Sequence, residues 1–190
     1  VSEADREFAN LTIPSGTEAV IICPAASKRE RCWNTQYYAD IANYIHRKRI
    51  QVILCGGPSS LDNELAQEIV KKTRIPVTNL IGKTSLKQLY ALLSKATFVI
   101  GPDTGPVHMA NAAGVPVIGL YAHSNPARTG PYNNQDLVAS VYEKHLELQT
   151  GKAIHEAKWG ERVQGPDLME DIAVEQVYEL IETLLLKLSR

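Results

Sequence analysis

Thr97-Phe98-Val99-Ile100-Gly101-Pro102-Asp103-Thr104-Gly105-Pro106-Val107-His108-Met109-Ala110 changes character at Gly101. Thr97 to Ile100 is an apolar, β-branched run that reads as a buried strand. Val107 to Ala113 reads as a short helix ended by Gly114, and Val117-Ile118-Gly119-Leu120-Tyr121 as the next strand. The same alternation extends upstream. Ala19 to Cys23 is a strand closed by Pro24, Gln51 to Cys55 a strand stopped by Gly56-Gly57-Pro58, and Asn79 to Ile81 a short strand ending at Gly82. Helical spacing of apolar residues fills the intervals at Asn34 to Arg47, Leu61 to Val70 and Ser85 to Leu93. Strands that are apolar along their whole length and alternate with helices predict a parallel sheet covered on both faces. The fold class is therefore α/β, a Rossmann-like doubly wound sheet. From Tyr142 to Met169 the pattern weakens into a polar stretch carrying Trp159 and Gly165-Pro166. Val174 to Leu188 is again helical, with Val174, Val177, Leu180, Ile181 and Leu184 on one stripe.

The 190 residues are enough for one such domain, and 44% hydrophobic with 22% charged residues is the balance of a globular chain. A net charge of -1 argues against a nucleic-acid binder. Cys23, Cys32 and Cys55 are an odd number without paired spacing, so they read as reduced thiols rather than a disulfide framework. No secretory signal and no bilayer-spanning apolar run are visible, which leads to the expectation of a cytoplasmic protein. Val1 is not an initiator Met, and Val1 to Gly16 is polar around a short Leu11-Thr12-Ile13-Pro14 island, so residues 1–17 read as a linker.

In a doubly wound sheet, ligands bind beyond the carboxyl ends of the strands, and the unusual residues of this chain fall there. Asp103 or Thr104 is placed to cap the helix that begins beside Gly105, and its first-turn amides favour an anion. Gly105 allows a phosphate close to backbone, and His108 adds a donor or a positive charge. After the first strand, Pro24-Ala25-Ala26-Ser27 is a small-residue turn, followed by the basic run Lys28-Arg29-Glu30-Arg31 and by Trp33. Arg grips phosphate with two donors and Lys acts as a point charge. Trp33 reads as packing at a helix start. Gly56-Gly57-Pro58 precedes Asp62 and Glu64, acids that suit a helix N-terminus. Gly82-Lys83-Thr84 lacks the spacing of a phosphate-binding P-loop, and Ser85 is a helix cap. The last loop, Tyr121 to Tyr132, holds His123, Asn125, Arg128 and Tyr132. His123 has no partner at metal spacing. His46, His145 and His155 are expected on the surface.

Asp-Thr-Gly-Pro-Val-His at 103–108, followed by Ala-Gly-Val-Pro-Val-Ile-Gly-Leu-Tyr at 113–121, closely resembles the C-terminal domain of glycosyltransferase family 9, the ADP-heptose:lipopolysaccharide heptosyltransferases. The resemblance runs from about Ala19 to the final helix, in the order of the C-terminal half of a GT-B glycosyltransferase. It implies a nucleotide-sugar-binding domain over residues 18–190, with residues 1–17 leading from an N-terminal acceptor domain outside this sequence. It implies a substrate site of Ser27, Lys28, Arg31, Gly57, Glu64, Asp103, Thr104, Gly105 and His108. Arg31, with Lys28 second, matches the residue that holds the diphosphate. Glu64, with Asp62 as the alternative, matches the acid at the ribose. The 81–86 loop would lie beside adenine, and the 121–132 loop would help enclose the sugar nucleotide.

The implied reaction moves heptose from ADP-heptose to the lipopolysaccharide inner core. Its base and acceptor groove would belong to the N-terminal domain, so no catalytic residue is assigned here. Neither cofactor nor metal is expected, nor a nucleic-acid partner, and the full-length protein would sit peripherally at the inner face of the inner membrane. Two alternatives remain open at this point: a non-catalytic nucleotide-binding module of the same fold, and a GT-B transferase or epimerase using a UDP-sugar.

Overall fold

The computed structural model describes residues 1–189; Arg190, the last residue of the expected domain, lies outside them. Six strands form one sheet: β1 (Ala19–Ile22), β2 (Gln51–Leu54), β3 (Thr78–Asn79), β4 (Phe98–Pro102), β5 (Val117–Tyr121) and β6 (Val138–Ser140). Their order is β3-β2-β1-β4-β5-β6, and every neighbouring pair is parallel. The helices are α1 (Glu3–Thr12), α2 (Thr35–Arg47), α3 (Ser60–Lys72), α4 (Leu86–Leu93), α5 (Gly105–Ala112), α6 (Pro126–Thr129), α7 (Tyr142–Thr150) and α8 (Val174–Leu188). The doubly wound α/β reading therefore holds.

Successive strand residues point to opposite faces, and each face has its own core. Val20, Ile22, Val52, Leu54, Phe98, Ile100, Ile118 and Leu120 pack toward α2, α3 and α8. Ile21, Cys23, Ile53, Cys55, Val99 and Val117 pack toward α1, α4 and α5. Both faces are dry, which is why the strands are apolar throughout instead of alternating. Cys23 and Cys55 are buried among these side chains as free thiols, and burial pushes the Cys55 thiol up to about 12. On α8, Val177, Ile181 and Leu184 are buried, while Val174 and Leu180 are partly so. Trp33 is buried too, and its indole N–H donates to the Ile172 carbonyl at 2.9 Å, tying the start of α2 to the segment before α8.

Three features depart from the sequence reading. The polar opening forms a helix: Ser2 and Asp5 make a reciprocal capping box, and Ala9 and Ile13 insert into the α4 side of the core. A sixth strand, β6, at the sheet edge, and a helix, α7, lie in the stretch where periodicity fades. His145 is also not a free surface residue: its Nε2 lies 3.0 Å from the Asp171 carboxylate and the side chain is largely covered.

Candidate functional site

Because all six strands are parallel, the loops after β1, β2, β4 and β5 gather on one edge of the sheet. The chain leaves β1 toward α2 on one face and leaves the adjacent β4 toward α5 on the other. Neighbouring strands whose helices diverge open a crevice at their carboxyl ends, the ordinary ligand position in this architecture. Gly101 permits the close approach there: a Cβ on it would meet the Cys23 carbonyl oxygen at 2.8 Å and Val107 Cγ2 at 3.0 Å.

Beyond Gly101 the chain turns into α5. Thr104 occupies the N-cap with extended backbone, but no side chain caps the helix, and Pro106 lacks an amide. The first-turn amides of Gly105 and Val107 thus face the crevice without an intrahelical acceptor. A Cβ built on Gly105 meets nothing within 4 Å, so the space in front of the helix is open. The expectation that Asp103 caps α5 is corrected. Its carboxylate instead accepts from Ser124 Oγ at 2.9 Å and meets His108 Nε2 at 3.1 Å. Thr129 Oγ1 donates to Ser124 Oγ at 3.3 Å, extending the chain of hydrogen bonds into α6. Burial alone would raise the Asp103 pKa, but the hydrogen bonds from His108 and Ser124 outweigh it and hold the carboxyl below its usual value. Asp103 is thus an ionised strut between α5 and the β5 loop.

The basic run divides. Arg31 lines a small hollow with Asp103, His123 and Ser124, and its Nε is buried without a hydrogen-bond partner. Lys28 is exposed and 3.8 Å from Glu30, and Ser27 is exposed. Arg29 pairs with Glu64 at 2.7 Å, which ties Glu64 to the basic loop. Asp62 accepts from the Gly57 amide at 2.9 Å and from Ser59 Oγ, so its oxygens serve the turn that starts α3. Glu64 is the more solvent-exposed of the two alternatives, with a side chain 59% accessible. Gly57, Ser59 and Asp62 together form the rim above β2. Lys83 donates to the Asn79 carbonyl at 2.9 Å and stays with its own turn, while Ser85 caps α4 through a box with Gln88.

Sequence reasoning missed the role of Ser124. A serine after a strand at the ligand edge was visible, but its partner Asp103 lies 21 residues upstream. His123 Nε2 lies 3.0 Å from the Gly165 carbonyl and Nδ1 is buried without a partner.

The fold and the crevice define a Rossmann-like domain with an uncapped helix start at the switch point of its sheet. A profile of glycosyltransferase family 9 (heptosyltransferase) matches residues 1–158, and the chain belongs to that family. It is 43% identical over 177 residues to the lipopolysaccharide core heptosyltransferase OpsX of Haemophilus influenzae, covering 93% of this chain and 51% of that protein. It is 28% identical over 196 residues to lipopolysaccharide heptosyltransferase 2 of Salmonella typhimurium, covering 97% of this chain and 52% of that one. The crystal structure of a family 9 glycosyl transferase from Veillonella parvula superposes with a TM-score of 0.75 at 26% identity, over 98% of this chain and 53% of that one. The chain thus spans about half the length of the relatives it matches. No described helix is long and apolar enough to cross a membrane.

Proposed function

We propose that this chain is the donor-binding half of a heptosyltransferase, holding ADP-heptose for transfer to a sugar of the lipopolysaccharide inner core. The observation that carries the reading is the open start of α5: free first-turn amides and no Cβ at Gly105, with Arg31 across the switch point. A diphosphate seated there meets the positive end of a helix and a guanidinium with spare donors. In a sugar-inverting transfer, negative charge grows on the ADP leaving group as the glycosidic bond breaks. Donors already fixed at that position stabilise the developing charge without reorganising. His108 stands at the same mouth, oriented by Asp103. Because Ser124 and His108 already occupy the Asp103 oxygens, that carboxylate serves as a brace, and its charge is partly offset toward the phosphates. Glu64 stands at the ribose in this reading, Gly57 lets the nucleoside lie against backbone, and Ser27 and Lys28 supply outer contacts. Thr104 contributes its amide.

The base that activates the acceptor hydroxyl belongs to an N-terminal acceptor half, to which residues 1–17 lead, and the complete enzyme works at the cytoplasmic face of the inner membrane. An Escherichia coli heptosyltransferase of the same fold holds ADP in one structure and ADP-2-deoxy-2-fluoro heptose in another, which supports the same donor class here. Calorimetric titration with ADP, ADP-heptose and UDP-sugars tests the reading. Preference for the adenine nucleotides is expected; preference for UDP-sugars, or no nucleotide binding, would reject it.

A further inference from the structure

His123 and Ser124 are consecutive in the loop after β5, and both are buried, at 5% and 3% exposed. Burying a polar side chain is costly unless it is hydrogen-bonded, so each calls for a partner. Ser124 has one in Asp103. His123 is held in place by the segment that leads to α8. The Val163 amide donates to the His123 carbonyl at 3.2 Å, Ser124 and Arg162 form an antiparallel bridge, and the Gly165 carbonyl lies 3.0 Å from His123 Nε2. Gly165 reaches that position with a φ of 147°, and a Cβ on it would meet Leu168 Cδ2 at 3.0 Å. The ring is therefore fixed through its own backbone and through one of its nitrogens.

A carbonyl oxygen only accepts, so the hydrogen of that contact is on Nε2. In the neutral ring this leaves Nδ1 as a bare acceptor, and Nδ1 is buried without a protein partner. Arg31 lines the same hollow, and its Nε is buried without a protein partner as well. A guanidinium nitrogen only donates. Asp103, the carboxylate in the wall of this hollow, does not serve Arg31: its oxygens go to Ser124 and His108, and among the described residues no carboxylate pairs with Arg31. One buried donor and one buried acceptor thus belong to the walls of a single hollow. Its volume is about 10 Å³, the room one water takes.

We propose that His123 is the positioning residue for Arg31: its neutral ring accepts, through one bound water in the hollow, from the Arg31 Nε–H. Tied at Nε, the guanidinium keeps its paired Nη edge for the diphosphate, the edge that grips phosphate oxygens with two donors. Orienting Arg31 before the nucleotide arrives removes side-chain freedom that binding would otherwise have to remove. The inference rests on the donor reading above for the service Arg31 performs. The two residues of the β5 loop then divide the crevice between them. Ser124 steadies the α5 side through Asp103, and His123 steadies the basic-loop side through Arg31.

The test is a double-mutant cycle on ADP affinity, with NMR of the imidazole nitrogens of the nucleotide-free chain as a second readout. His123→Phe keeps a ring and loses the acceptor, and should weaken ADP about fivefold, one ordinary hydrogen bond. In an Arg31→Ala background the same change should have no effect, because the residue it acts through is gone. His123→Asn should stay near wild type, since its Oδ1 stands as many bonds from Cα as Nδ1 does. His123→Gln, whose amide lies one bond farther out, should behave like His123→Phe. The nitrogen signals should show a protonated Nε2 and an unprotonated, hydrogen-bonded Nδ1, with the Nδ1 signal moving in Arg31→Ala. An equal loss from His123→Phe in both backgrounds would mean that the ring acts through packing and would overturn the proposal. So would a protonated Nδ1, or an Nδ1 signal indifferent to Arg31→Ala. A wild-type chain that fails to bind ADP would reject the donor reading and with it the service to the diphosphate, while the nitrogen signals would still decide whether His123 and Arg31 are joined.

Discussion

Replacing Gly105 by valine asks whether the start of α5 is a binding site or only a helix end. The added side chain should not disturb the fold: a Cβ there meets nothing within 4 Å, and the residue lies outside the positive-φ region that requires glycine. Valine is also a slightly better helix residue than glycine, by a few tenths of a kcal/mol. What it fills is the space a phosphate needs to reach the Gly105 and Val107 amides. Each hydrogen bond to a charged group contributes about 1.5–3 kcal/mol, so losing two costs about 3–6 kcal/mol. That corresponds to a loss of roughly two to four orders of magnitude in ADP affinity. Calorimetry with ADP, alongside circular dichroism and a thermal melt, reads both quantities. Gly105→Ala should fall between wild type and valine. A folded Gly105→Val protein that binds ADP as the wild type does would remove the helix start from the site and leave the family likeness as a statement about fold.

Arg31→Ala should weaken ADP by about 1.5–3 kcal/mol, one charged contact, with Lys28→Ala weaker in effect; the reverse order by the same titration would exchange their roles. Ser124→Ala removes one of the hydrogen bonds that depress the Asp103 pKa, so that pKa should rise toward 3.8. A depressed acid contributes stability above its unfolded pKa and loses it as the pH falls through the folded value. The variant should therefore be less stable than wild type in urea at neutral pH, with the gap closing in strong acid; a gap independent of pH would mean the serine acts through packing alone. This chain by itself should transfer no sugar, because the acceptor half is expected upstream of it. Turnover of ADP-heptose onto a truncated core acceptor by the purified chain would disprove that.

The sheet was legible because its strands are continuous apolar runs, a pattern that only two-sided burial makes useful. β6 was not: Val138-Ala139-Ser140 is three residues at an edge, too short for any period to register. α1 escaped for a different reason. It buries only Ala9 within its length, so it reads as solvated, although its Ser2 and Asp5 capping pair was in view. At the site, Gly105 and the basic loop could be picked out because their chemistry is local to the chain. The true partners of Asp103 could not. A carboxylate before a helix ordinarily caps it, and only the adjacency of β4 and β5 brings Ser124 close enough to draw it away. Glu64 and Arg29 met for the same kind of reason, through the packing of a helix start against a loop more than thirty residues earlier.

The contact at Gly101 has a further consequence. Gly101 lies so close to the Cys23 carbonyl that any side chain added to it would force the β1 and β4 ends apart, so this close spacing depends on glycine. That gap acts as a fixed gauge for the distance from the basic loop to the start of α5. Variation in what is bound must then be absorbed farther out, in the segments after β2 and β5, where the chain can change length without shifting the gauge.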